Sequence, residues 1–321
     1  MIMMRFDRMQ LGRKAKELGF VRDTFEKVCR LVEVLRFMEN DSLISTSLAL
    51  KGGTAINLTI FDLPRLSVDI DLDFSRDVTR EEMLTEREII TERISKYMTA
   101  SGYFLSPKSK QYHALDSFVY EYQNAGGSKD NLKIEINYML RCHMLPIAHR
   151  KIKLDWLESE LKVLSVAPIE IFSSKIVALL NRTAPRDLYD VHNMLKYGLF
   201  DESEQEMLRK GIVLYRAIGS DTIPGEFDLS SIERVSQYRI KTDLLPVLYN
   251  KECFEVKGAQ EKIIEYLSKL LILEEDEVRF LNAFRNNEYC PELIFGQSDE
   301  AKRLVSHPMA MWKCQQGKRE M

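Results

Sequence analysis

The decapeptide RLSVDIDLDF, running from Arg65 to Phe74, decides the fold. Val68, Ile70, Leu72 and Phe74 alternate with Asp69, Asp71 and Asp73, and this period of two predicts a half-buried strand over residues 66–74. The three aspartates leave such a strand from one face. Carboxylates held this close repel one another, which raises the pKa of at least one unless a cation compensates. Rigidly placed oxygen ligands are what a hard divalent ion such as Mg²⁺ requires, with room left for substrate phosphate. Two such ions would serve in-line displacement at phosphorus. In isolation, an alternating acidic run is more simply a solvated strand face.

Working outward, the neighbouring segments add to that strand. Upstream, the apolar stretch Leu43 to Leu50 runs into Lys51, Gly52, Gly53 and Thr54, followed by AINLTIF, which reads as a short helix. A glycine turn between strand and helix can aim backbone N–H groups at an anion, helped by the positive helix N-terminus. Thr54 adds a hydroxyl donor. There is no GxxxxGK[ST], so this is no Walker loop, and a lone GGT is otherwise a tight turn needing positive φ. Downstream, 116–123 and 131–140 read as strands joined by NAGGSKD, an antiparallel hairpin. The second strand carries KIEIN, residues 133–137, with Glu135 pointing away from Ile134 and Ile136. Two strands that present carboxylates on one face can assemble a metal-binding triad.

The flanks read as helices. Asp23 with Glu26 predicts a capping box opening a helix over 23–39, and Thr79 with Glu82 opens another over 80–100. Pro168 begins a helix carrying Ile169, Phe172, Ile176 and Leu179, and Pro185 begins one carrying Leu188, Val191 and Leu195. Lys175 lies beside the apolar side of the first, where an ammonium either snorkels to solvent or meets an anion. Arg186, Asp187 and Asp190 open the second; the two aspartates share a face, although acids in a first turn also complement the helix dipole. Beyond residue 200 the pattern is mostly helical, with 219–228 as an internal loop. The expected architecture is α+β: a small mixed sheet with flanking helices over 1–165, then a mainly helical 166–321.

Composition bounds the function. With 46 Lys and Arg against 49 Asp and Glu, the net charge of -3 excludes bulk electrostatic capture of nucleic acid. The balance is uneven, however. Residues 61–92 hold ten acids against four arginines, whereas 141–186 hold eight Lys and Arg against four acids. The cysteines (29, 142, 253, 290, 314) form no CxxC, and the five histidines form no HExxH, which argues against a disulfide framework or a zinc site. The N-terminal segment has no apolar core of signal-peptide length, and no window approaches the ~20 apolar residues of a membrane span. A cytoplasmic protein without membrane contact is expected.

Taken in order, KGGTAINL, RLSVDIDLDF, KIEIN, FSSKIVALLNR and PRDLYDVHNML resemble the AbiE-type toxins, nucleotidyltransferases of toxin–antitoxin and phage-defence operons. The match covers roughly residues 45–200. The resemblance implies a polymerase-β-like nucleotidyltransferase core, with the helical C-terminal region completing the nucleotide cleft. It implies that Lys51, Gly52, Gly53 and Thr54 form a phosphate-binding turn supported by Arg65 and Ser67. Asp69 and Asp71 would be paired ligands for one or two Mg²⁺ ions (Mn²⁺ as an alternative), with Glu135 as third carboxylate and Asp73 left as strand surface. Lys175 would contact the triphosphate, and Asp190, with Asp187 close behind, would be the functional acid. The implied reaction moves NMP from an NTP to a hydroxyl acceptor, with the tRNA 3′ end or other RNA first among acceptors and a cognate antitoxin as partner. A small-molecule or protein hydroxyl is the alternative acceptor. A non-catalytic binding module on the same scaffold, or a metal nuclease, would be the competing class.

Overall fold

A computed structural model describes residues 7–154, 160–220, 226–249 and 254–320, the side chain of Glu320 excepted. The chain divides into two compact units, one of Met1–Arg141, Ile147–Val166 and Leu245–Glu252, the other of Cys142–Pro146, Ala167–Leu244 and Cys253–Met321. Part of the loop expected at 219–228, residues 221–225, lies outside the described residues.

The first unit is built on one eight-stranded mixed sheet. Its strands are β1 (Leu48–Lys51), β2 (Asp69–Phe74), β3 (Phe104–Leu105), β4 (Lys110–Gln111), β5 (Leu115–Gln123), β6 (Lys129–Asn137), β7 (Ala148–Lys151) and β8 (Lys162–Ser165). The order is β3-β5-β6-β2-β1-β8-β7, with β4 also pairing β5. The acidic strand is β2, near the middle, antiparallel to β1 and parallel to β6. Ile70, Leu72 and Phe74 are all buried, so one face of the alternation is core, as the period of two requires. The β5–β6 hairpin forms as expected; in its turn Asn124 Oδ1 accepts from the N–H groups of Gly126 and Ser128. The short strands β3, β4, β7 and β8 go beyond the sequence reading. None is longer than four residues, too short for alternation to show.

Helices pack on this sheet unit. Arg80–Ala100 begins with the expected capping box, Thr79 Oγ1 accepting from Glu82 N–H while Glu82 accepts from Thr79 N–H. The box expected from Asp23 and Glu26 does not form. The helix runs Arg22–Asn40 with Val21 at its N-cap and no side-chain cap. Glu26 is instead fully buried, paired with Arg30 at 2.7 Å and accepting from Ala125 N–H at 2.9 Å. The helix starts one residue before Asp23, so Asp23 is not its N-cap and Glu26 does not stand three residues after the cap.

The second unit is helical: Pro168–Arg182, Pro185–Lys196, Glu202–Gly219, Val256–Leu270, Glu275–Arg285 and Pro308–Glu320 are its longer helices. Proline opens the first two, and Thr183, at φ 49°, ends the first in a left-handed residue whose N–H caps Leu179 O. Pro168–Arg182 packs closely on Glu202–Gly219, with Ser173 Oγ donating to Leu208 O across the contact at 3.2 Å. Among the described residues, no helix is long and apolar enough to cross a membrane.

Candidate active site

Two groups of the residues singled out in the sequence come together, one in each unit. The first is assembled by strand register. Lys51 of β1 stands opposite Asp71 of β2, and Asp71 in turn opposite Glu135 of β6; one step back, Asp69 is opposite Lys133. Asp69, Asp71 and Glu135 therefore lie on one face of adjacent strands. All three are half-buried, so they are shaped by the protein yet reachable from solvent.

Behind this face, the glycine turn is clamped to β2. Gly52 sits at φ 66°, open to glycine with little cost, and a Cβ there would fall 2.6 Å from Asp71 Oδ2. The turn thus approaches the Asp71 carboxylate as closely as backbone can. At Gly53 a Cβ would fall 2.7 Å from Arg65 Nη2. Arg65 is only 2 % exposed and donates to Leu66 O at 3.0 Å, which makes it a prop beneath the turn. Asn57, also buried, donates to Gly53 O at 2.7 Å and accepts from Arg65 N–H at 3.3 Å. Thr54, read in the sequence as a donor to phosphate, is fully buried; its hydroxyl donates to Asp69 O and lies 3.0 Å from Ser67 Oγ, from which it can accept. The turn's amides lie at the start of the helix Gly52–Ala55, where the first N–H groups of a helix have no intrahelical acceptor.

Asp73 is a correction. Read as strand surface, it is buried and ion-paired with Lys51 at 2.5 Å. Antiparallel pairing of β1 with β2 brings Lys51 diagonally onto it, and this pairing also commits the Lys51 ammonium that the sequence offered to a nucleotide. Lys133, which the sequence reading passed over, holds Glu135 at 2.9 Å. Burial works against its charged form, but Glu135, Asp69 and Asp71 together outweigh that and raise its pKa. The signal for it was present in KIEIN, where Lys133 and Glu135 are two apart on one strand face.

The chemistry of the donor set fits a divalent cation: only carboxylate oxygens, on two strands locked in register. Among the described residues, no group of three His, Cys, Asp or Glu side chains already stands in a metal-holding arrangement. Glu135 is turned onto Lys133 and would have to leave it to act as a third ligand.

The second group is of opposite character. Lys175 reaches Asp187 Oδ1 at 2.9 Å and Asp190 Oδ2 at 3.2 Å, and Arg182 grips Asp187 through two hydrogen bonds of 2.7 and 3.0 Å. Lys175 is 8 % exposed and both aspartates 1 %. Burial alone would push the Asp187 carboxyl up, but Lys175 and Arg182 overcome it and hold its pKa below the ordinary range. Of the two fates open to Lys175, it meets anions supplied by its own unit. Arg186 turns away and donates to Asp243 O at 2.7 Å.

The structure is similar to the nucleotidyltransferase toxin MenT4 of Mycobacterium tuberculosis, with a TM-score of 0.64 over 88 % of this chain and 97 % of that one, at 17 % identity. The fold is that of a nucleotidyltransferase. No curated protein matches the chain by sequence. The profile of the nucleotidyl transferase AbiEii toxins, of type IV toxin–antitoxin systems, matches residues 36–274, a span that takes in both clusters. The chain belongs to this family and is a nucleotidyltransferase toxin, which implies an NTP substrate and a cognate antitoxin.

Proposed function

We propose that this toxin transfers a nucleoside monophosphate from an NTP to the 3′-terminal hydroxyl of tRNA in the cytoplasm, at the face formed by Asp69, Asp71 and Glu135. The observation that supports it most is the register that sets these carboxylates on adjacent strands, with the glycine turn against Asp71. A bound Mg²⁺, with Mn²⁺ as a substitute, would be held by these three side chains and would supply positive charge to the triphosphate oxygens and acidify the attacking hydroxyl. The amides of Gly52, Gly53 and Thr54 receive phosphate oxygens, with Arg65, Asn57 and Ser67 keeping the turn in shape. Glu135, or the metal in its place, would help take the acceptor hydroxyl's proton as its oxygen bonds to the α-phosphorus and pyrophosphate departs.

The test uses the purified protein, Mg²⁺, each α-labelled NTP in turn, and either intact total tRNA or tRNA whose 3′ end has been oxidised with periodate. Label on intact tRNA and none on oxidised tRNA is the expected result. Label that persists on oxidised tRNA, or that goes to protein or a small molecule, would move the acceptor elsewhere.

A further inference from the structure

The metal-ligand reading leaves Lys133 unexplained. It stands beside Asp69 in the β2–β6 register, on the face that carries the carboxylates, and its ammonium pairs with Glu135 at 2.9 Å. Both partners are partly exposed, with side chains 36 % and 27 % accessible. Solvent weakens such a pair, so it is reversible rather than structural. Other cations near this face are committed: Lys51 to Asp73, and Arg65 to its place beneath the turn. Lys133 is bonded directly to a candidate ligand, Glu135.

We propose that Lys133 is a positioning residue that competes with the divalent cation for Glu135. With the ion absent, the ammonium offsets part of the repulsion among Asp69, Asp71 and Glu135 and keeps Glu135 turned aside. A divalent ion must displace it before Glu135 can close the ligand set, so Lys133 weakens metal affinity and ties completion of the site to arrival of the ion. Once released, the ammonium would remain on the carboxylate face and add a positive charge there. The inference rests on the metal reading given above.

Mn²⁺ binding to the full-length protein, followed by the electron paramagnetic resonance of free Mn²⁺, separates the two. Lys133→Met is expected to tighten Mn²⁺ by about three- to tenfold, the size of a partly screened charge interaction. Lys133→Arg, which keeps the charge, is expected to stay near wild type. In a Glu135→Gln background the effect of Lys133→Met should shrink, because the residue acts through Glu135. Unchanged or weaker Mn²⁺ affinity in Lys133→Met, or an equal gain in the Glu135→Gln background, overturns the role of Lys133 while leaving the metal site standing. If Asp71→Asn binds Mn²⁺ as wild type does, the metal site itself is wrong and the proposal falls with it.

Discussion

The two charged clusters use the same residue types to opposite ends. On the sheet, Asp69, Asp71 and Glu135 are half-buried and held by backbone register, with a lysine at one margin. In the helical unit, Lys175, Arg182, Asp187 and Asp190 neutralise one another, and only Arg182 is well exposed. Excess negative charge kept in contact with water can be offered to a cation. A buried and balanced set is costly to disturb, because removing one partner strands the other in a medium that cannot solvate it. Activity should therefore be sensitive to the first cluster and folding to the second.

The strongest challenge to this contrast comes from Asp187→Ala, which takes one carboxylate from Lys175 and both of its Asp187 bonds from Arg182. A loss of about 3–5 kcal/mol in urea unfolding is expected. Asp71→Asn should do the reverse: transfer falls by about a hundredfold or more, while the melting temperature in metal-free buffer stays within ~2 °C, since a like charge has been removed. A large loss of stability in Asp71→Asn would erase the distinction. Gly52→Ala joins both effects. The left-handed backbone costs about 1–2 kcal/mol, and the new methyl group must push Asp71 aside, so activity should fall further than stability.

The smallest expected effect is on pH dependence. Asp187 has a lowered folded pKa, so its stabilisation is complete above the unfolded carboxylate range, about pH 4, and is lost as pH falls through the lowered folded value. Asp187→Asn should therefore flatten the acid limb of the stability curve below about pH 4. An acid limb with unchanged slope would mean that the cluster is not held by charge.

Much of this was legible in the chain. Alternation in RLSVDIDLDF located β2, Thr79 and Glu82 located the start of a long helix, and two prolines located the helices that carry Lys175, Asp187 and Asp190. What was illegible depended on pairing between distant segments. Asp73 looks like Asp69 and Asp71 in sequence, and only antiparallel pairing with β1 gives it Lys51. Glu26 fits a capping pattern, but Ala125 and Arg30 claim its oxygens. Thr54 is legible as part of the turn, but the direction of its hydroxyl is not, because it follows from how β2 packs against the turn.

The central claim is that the Asp69–Asp71 face directs attack at the α-phosphorus of an NTP. Parallel reactions with α-labelled and γ-labelled NTP, in the presence of Mg²⁺ and total tRNA, test it most directly. Label is expected on RNA from the α-labelled nucleotide alone, and none in Asp71→Asn. Label from the γ-labelled nucleotide, or equal labelling by Asp71→Asn, would contradict it.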